Sequence, residues 1–275
     1  MYKEEMDNRP IGILDSGVGG LTVWKEILLK LPDEATIYIG DSKNAPYGDK
    51  TPEEIFQLAK KLITFLLKKD VKLIVIACNV ITTTSLERLR NEFKGIPLVG
   101  TVPVVKKAAE KTKKGAIGIL STNGTAKSLY QKHLIEQFAS GLQVVSIGTN
   151  TLVPLVEKGI FAKEKVAKVL QQVVKPFQKA GVDVVALGCT HFPFLKKDLQ
   201  EALGKDVLLL DSGAAIARQV GRILEKNKWL AGKKQPQHII FTTGEVSLWQ
   251  EIIKQAKLPK ADIEQIILRE SKIHV

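Results

Sequence analysis

Short runs of Ile, Val and Leu alternate along the chain with longer segments in which apolar residues recur every three or four positions. The runs are Ile11–Leu14, Ile37–Gly40, Leu73–Ala77, Pro97–Gly100, Ala116–Leu120, Val144–Ile147, Val182–Leu187 and Val207–Leu210. They are apolar on both alternating faces, the pattern of strands covered on both sides. Between them, Glu53–Lys69 places Ile55, Leu58, Ala59, Leu62, Phe65 and Leu66 on one helical face. Thr51-Pro52-Glu53-Glu54 opens that segment as a capping box with proline at the first helical position. Strand–helix alternation of this kind predicts the α/β class, with parallel-type central sheets covered by helices.

The pattern repeats. Ile11-Gly12-Ile13-Leu14 recurs as Ile117-Gly118-Ile119-Leu120, and each copy runs into a polar loop: Asp15-Ser16-Gly17-Val18-Gly19 in the first, Ser121-Thr122-Asn123-Gly124 in the second. Leu73–Ala77 followed by Cys78-Asn79 recurs as Val182–Gly188 followed by Cys189-Thr190. The strand ending at Gly100-Thr101 recurs as one ending at Asp211-Ser212. An offset of about 110 residues relates all three pairs, which predicts two similar α/β domains. Residues 228–237 have linker composition; His238–Thr242 reads as a further strand and Leu248–Lys257 as a helix, with no counterpart in the repeat. Packed back on the first half, they give a discontinuous first domain, residues 1–101 plus 214–275, around a second, residues 102–213.

Composition narrows the function. Of 275 residues 44% are hydrophobic and 25% charged, as expected of a globular protein with a buried core. The first ten residues hold no apolar segment of signal-peptide type and no run is long enough to span a bilayer, so the cytoplasm is the expected compartment and no membrane partner is expected. Lys plus Arg is 41 against 29 Asp plus Glu, a formal charge of +12. The lysines fall in pairs such as Lys60-Lys61, Lys106-Lys107 and Lys196-Lys197, spaced as solvated helix faces, which argues against a nucleic-acid partner. A positive field also draws in acidic metabolites. With two cysteines far apart in sequence, no disulfide framework is expected. Neither cysteine has a second ligand at metal spacing, so no metal is expected.

Both cysteines follow central strands, at the edge where open parallel sheets bind ligands. A helix N-terminus there would lower a thiol pKa from its ordinary value. Two domains facing each other through these ends would aim two thiols at one cleft from opposite sides. Inversion of a carbon acid needs that arrangement: a base on one face removes the proton, and an acid on the other returns one. Buried packing is the plain reading of either cysteine alone; their repeat equivalence favours chemistry. A hydrolase built on Cys189 and His191 would leave Cys78 unused. Asp15-Ser16-Gly17-Val18-Gly19-Gly20 is neither a P-loop nor a dinucleotide fingerprint. Its glycines and free N–H groups suit close approach of a carboxylate, while Asp15 suits a thiol or an ammonium. Asp41–Gly48 forms a second strand-end loop whose Tyr47 and Gly48 would bound the same cleft.

These motifs resemble those of glutamate racemases, within the aspartate/glutamate racemase superfamily: Asp15–Gly20, Pro46-Tyr47-Gly48, Ala77-Cys78-Asn79, Pro154–Glu157 and Gly188–Pro193. The resemblance implies cofactor-independent interconversion of L- and D-glutamate, supplying peptidoglycan synthesis. It implies Cys78 and Cys189 as the proton-transfer pair, Asp15 assisting the first, and Glu157 and His191 the second. It further implies Asp15, Ser16, Tyr47, Gly48, Asn79, Val80, Thr122, Thr190 and His191 as substrate-binding residues. One position departs: the family's Cys-Asn-Thr is Cys78-Asn79-Val80 here, which removes a hydroxyl and keeps a backbone N–H; Thr82, Thr83 and Thr84 follow closely. A racemase for another acidic amino acid such as aspartate, and a non-catalytic binding protein on the same fold, are the rival readings. A homodimer is compatible with all three, although no interface is visible in the sequence.

Overall fold

A computed structural model describes residues 6–101, 104–159, 163–232 and 235–268. The first half alternates β1 (Ile11–Asp15), α1 (Leu21–Lys30), β2 (Thr36–Gly40), α2 (Pro52–Leu67), β3 (Leu73–Ile76), α3 (Asn79–Glu92) and β4 (Leu98–Gly100). The second begins with α4 (Val105–Lys111) and β5 (Ala116–Ser121), then α5 (Asn123–Ala126), α6 (Leu129–Phe138) and β6 (Gln143–Gly148). It continues through α7 (Val153–Glu157), α8 (Lys163–Lys179), β7 (Val184–Gly188), α9 (Lys196–Leu203) and β8 (Leu208–Leu210). The chain then returns through α10 (Gly213–Asn227), β9 (His238–Thr242), α11 (Val246–Gln255) and β10 (Asp262–Gln265).

Two parallel sheets result, ordered β10-β9-β2-β1-β3-β4 and β6-β5-β7-β8. Reading β2-β1-β3-β4 against β6-β5-β7-β8 gives the same order, so the sequence repeat is a repeat of topology. The returning strands extend the first sheet: β9 pairs with β2 in parallel from Thr36↔His238 to Gly40↔Thr242. Strand β10 on its far side, Asp262–Gln265, was not among the expected strands, because its sequence, Asp-Ile-Glu-Gln, carries one apolar residue.

The α2 capping box forms as its sequence requires. The Glu54 N–H donates to Thr51 Oγ1 at 3.3 Å, and the Thr51 N–H donates to Glu54 Oε2 at 2.8 Å. The buried face is rotated from the expected one: Phe56 and Ile63 are buried, while Leu58 and Phe65 are half-buried. The helix therefore lies over β1 and β2 with six buried apolar residues rather than along a symmetric stripe.

One apolar core joins the halves. It includes Ile11, Trp24 and Val75 from the first with Leu120, Val185 and Phe192 from the second, and α10 contributes Ile216, Val220 and Leu224. Behind the first sheet, α2 and α3 close a second core; behind the other, α4 and α6 close a third. At the opposite end from the strand C-termini, Lys72 and Glu34 form a buried ion pair at 2.5 Å. Lys72 Nζ also donates to the carbonyls of Asp7 (2.8 Å) and Trp229 (2.7 Å), and the Ala231 N–H donates to Glu34 Oε1 at 2.9 Å. This cluster ties the segment that read as a linker to the base of the first sheet.

Candidate active site

In each sheet the first strand of the repeat, β1 or β5, lies between the next two strands of the chain, so the chain reverses its direction of progress across it and leaves a topological switch point beside it. In the first, β1 ends in Asp15 and the neighbouring β3 leads into Cys78. In the second, β5 leads into Thr122 and its neighbour β7 into Cys189. Both cysteines are reduced and nearly buried, with 4% and 6% exposure. They line one cavity between the halves, together with Ser16, Tyr47, Gly48, Asn79, Val80, Thr122, Thr190 and His191. Ten of the twelve residues singled out in the sequence thus meet at one surface. The other two, Asp15 and Glu157, stand behind it. The cavity has a volume of about 10 Å³, room for roughly one water molecule.

The thiols have unlike surroundings. Cys78 is the N-cap residue of α3, and its Sγ lies 3.5 Å from Ser16 Oγ. The expectation that the helix terminus would lower its pKa is not met: burial and then the Asp15 charge push the thiol up to about 12, against the weaker pull of the Ile81 amide and the Ser16 hydroxyl. Dehydration of a thiolate here outweighs a helix dipole. Cys189 precedes a single 3₁₀ turn, Phe192–Leu195, rather than an α-helix. Its nearest polar partner is His191, with Sγ to Nδ1 at 3.7 Å.

Burial opposes charge on His191, yet its contacts with Cys189 and Glu157 prevail and hold its pKa well above the ordinary value. The ring's Nε2 is 2.5 Å from Glu157 Oε1. The same oxygen accepts the Val18 N–H at 2.8 Å, and Oε2 accepts the Ser42 hydroxyl at 2.9 Å. The free N–H of the Gly-rich loop does hold a carboxylate, but it belongs to Glu157 in the other half. Asp15, fully buried, is pushed up to about 6 by burial, which the His191 charge partly offsets. Its Oδ1 accepts the Gly17 N–H at 2.9 Å and its Oδ2 the Thr190 hydroxyl at 3.1 Å. Asp15 acts on Cys78 through charge, while its hydrogen bonds go elsewhere. Each half thus has its carboxylate held by donors that include the other half.

The glycines permit this approach. A Cβ at Gly17 would lie 1.9 Å from Glu157 Oε1, and one at Gly19 would lie 2.3 Å from His191 Nδ1. Tyr38 braces the loop from below, donating to the Gly17 carbonyl at 2.8 Å.

In the second strand-end loop, Tyr47 donates to Asp41 Oδ2 at 2.7 Å, and Asp41 Oδ1 accepts the Thr243 hydroxyl at 2.8 Å. Asn79 Nδ2 donates to the Thr101 carbonyl at 3.4 Å, and Thr122 caps α5 through the Thr125 N–H at 3.5 Å. The threonines after Val80 do not replace its missing hydroxyl. Thr82 Oγ1 accepts the Thr101 N–H at 3.0 Å, and Thr83 and Thr84 donate to the Val80 carbonyl at 3.3 and 2.7 Å. Sequence reasoning gave no role to Tyr38, Ser42 or Val153, nor to Asp41, Pro46 and Gly188, which it quoted only within their motifs. Asp41 and Ser42 begin a loop that had drawn notice for its tyrosine and glycine, and a buried aspartate opening such a loop was the available signal. Among the described residues, no group of three or more His, Cys, Asp or Glu side chains forms a metal site, and no helix is long and apolar enough to cross a membrane.

Paired thiols at equivalent switch points of a duplicated parallel α/β fold define a class of protein built to act on one small ligand from two sides. A family model described as Asp/Glu/hydantoin racemase matches residues 23–220. The chain belongs to that family. It is 41% identical over 223 residues to a glutamate racemase of Clostridium botulinum, covering 81% of this chain and 86% of that one. Its fold superposes on a glutamate racemase isoform of Bacillus anthracis with a TM-score of 0.84 at 35% identity, covering 95% and 98% of the two chains. Escherichia coli glutamate racemase, solved with L-glutamate and the activator UDP-MurNAc-Ala, gives 0.81 at 34% identity, covering 94% and 98%.

Proposed function

We propose that this protein is a cofactor-independent glutamate racemase, interconverting L- and D-glutamate to supply peptidoglycan synthesis in the cytoplasm. One observation carries the reading: Cys78 and Cys189, from equivalent positions of the two halves, line the same cavity. Their unlike surroundings support distinct resting roles. Burial and the Asp15 charge keep Cys78 a neutral thiol, ready to donate. The His191 ring, held protonated by its contacts, stands with Nδ1 3.7 Å from the Cys189 sulfur, a position that suits Cys189 to the role of base. Unlike environments for two similar groups are how a site separates acid from base. When Cys189 removes the Cα proton, Cys78 delivers its own to the opposite face; the reverse reaction exchanges the roles. Ser16, Tyr47, Gly48, Asn79, Val80, Thr122 and Thr190 hold the ammonium and carboxylates, and Asp15 and Glu157 act from behind. The two halves correspond to domains of residues 1–101 plus 214–275 and 102–213. A homodimeric state belongs to the same proposal and is read by sedimentation.

Incubation of the protein with L-glutamate in D₂O tests the reading. The expected result is deuterium at Cα with loss of optical rotation, abolished by either Cys78→Ala or Cys189→Ala. Full turnover in either variant refutes the two-thiol assignment. Val80 in the cavity wall favours a second reading, racemisation of another acidic amino acid such as aspartate; activity on L-aspartate and none on L-glutamate would select it. Inertness toward every acidic amino acid would leave a binding protein.

A further inference from the structure

Ser42 opens the 3₁₀ turn Ser42–Asn44 that follows β2. Among the described hydrogen bonds its Oγ makes one, to Glu157 Oε2 at 2.9 Å. Ser42 does not line the thiol cavity. It lines a separate cavity of about 750 Å³ that reaches the surface at the exposed Lys43 and Glu245, and Glu157 stands between the two spaces.

We infer that Ser42 is a positioning residue for the racemisation proposed above: it fixes the plane of the Glu157 carboxylate and, through it, the His191 ring against Cys189. The terminal torsion of a glutamate is broad and nearly two-fold. Partners on Oε1 alone pin one oxygen and leave the plane free to turn. A donor on Oε2 removes that freedom, and a hydroxyl bonded to a carboxylate is the charge-assisted kind suited to it. Ser42 and Val18 belong to the first half and Glu157, His191 and Cys189 to the second. The orientation of the base beside Cys189 is therefore set by the seating of one half against the other. Without the Ser42 hydroxyl, Oε2 turns toward the larger cavity, where solvent competes for it.

Ser42→Ala is expected to lower kcat by about tenfold with KM changed less than about twofold, because the lost contact is remote from the thiol cavity. Ser42→Thr, which keeps the hydroxyl, is expected to restore most of the rate and serves as the control for folding. In a Glu157→Gln background, Ser42→Ala is expected to cost nothing further, since residues acting through one another are non-additive. A proton NMR spectrum gives a readout independent of turnover: the His191 Nε2–H resonance, downfield in the wild type, is expected to move upfield or broaden in Ser42→Ala and to persist in Ser42→Thr. An equal loss of rate with and without Glu157, an effect confined to KM, or an unmoved His191 resonance overturns the assignment. A wild-type protein that racemises nothing defeats the proposed function instead, and the NMR response then decides alone whether Ser42 holds His191.

Discussion

Replacing Gly19 by alanine puts a methyl group where the first half closes against His191 of the second. Its carbon would sit 2.3 Å from His191 Nδ1, 2.5 Å from Cε1 and 2.6 Å from Thr190 Oγ1. Ordinary contact begins near 3.4 Å, so the ring must retreat by about 1 Å in a close-packed site. It has no easy retreat, because Nε2 is held by Glu157 and the adjacent side of the ring faces Cys189. A misplacement of about 1 Å costs on the order of a hundredfold in rate, equivalent to about 2.7 kcal/mol of transition-state stabilisation. Gly19→Ala is therefore expected to lower kcat/KM for glutamate about a hundredfold in both directions, measured by polarimetry from either enantiomer. The equality follows from an equilibrium constant of one for racemisation. Gly95→Ala, where an added carbon meets nothing within 4 Å, controls for the substitution itself and should retain full rate. A Gly19→Ala protein with wild-type turnover would refute the claim that this glycine exists to admit His191.

Three further outcomes follow from the same geometry. The Asp15 pKa rises from 3.8 in the unfolded chain to about 6 in the folded one, so its protonated form adds stability that is complete below pH 3.8 and lost as pH rises through 6. Asp15→Asn should therefore gain roughly 3 kcal/mol on the wild type between those limits in urea unfolding, and a flat difference would contradict the burial argument. Lys72→Ala strands Glu34 in a dry site and should destabilise the fold by about 3–5 kcal/mol, whereas replacing both with apolar residues should recover much of the loss; equal losses would show the pair is not acting as a unit. Val80→Thr restores a hydroxyl to the cavity wall and should lower KM for glutamate about two- to tenfold, given a hydrogen bond worth roughly 0.5–1.5 kcal/mol. An unchanged KM would remove position 80 from substrate binding.

The two-sheet architecture was legible because buried parallel strands leave a strong local mark. Ile-Gly-Ile-Leu at β1 and β5, and the Val- and Ile-rich approaches to both cysteines, are apolar on both faces. Knowing where parallel strands end pointed to both cysteines and to the loops that carry Ser16, Tyr47 and Gly48, while Val80 and Thr122 were named as site residues only through the family resemblance. The electrostatics were not legible. A thiol at a helix N-terminus and a thiol deep in a dry cleft share the same sequence context, and only the enclosure of Cys78 shows that dehydration wins. Asp15 reads as a partner for the nearest cysteine, yet its hydrogen bonds go to Gly17 and Thr190, a matter of how the halves meet. Ser42 escaped notice because a serine in a polar loop is ordinary until a carboxylate from the other half arrives on it. Strand β10 pairs through backbone groups at a sheet edge, where side-chain pattern counts for little.

The smallness of the space between the thiols has a consequence for the rhythm of turnover. A dicarboxylic amino acid is larger than a chamber sized for one solvent molecule, so the proposed chemistry requires the walls around the thiols to give way on entry. Any movement of one half away from the other would break the bonds of Thr190 to Asp15 and of Glu157 to Val18 and Ser42, and with them the setting of both sulfurs. In the proposed reaction, competence belongs to the shut form. In that form both sulfurs are nearly buried, which shields them from oxidants and stray electrophiles.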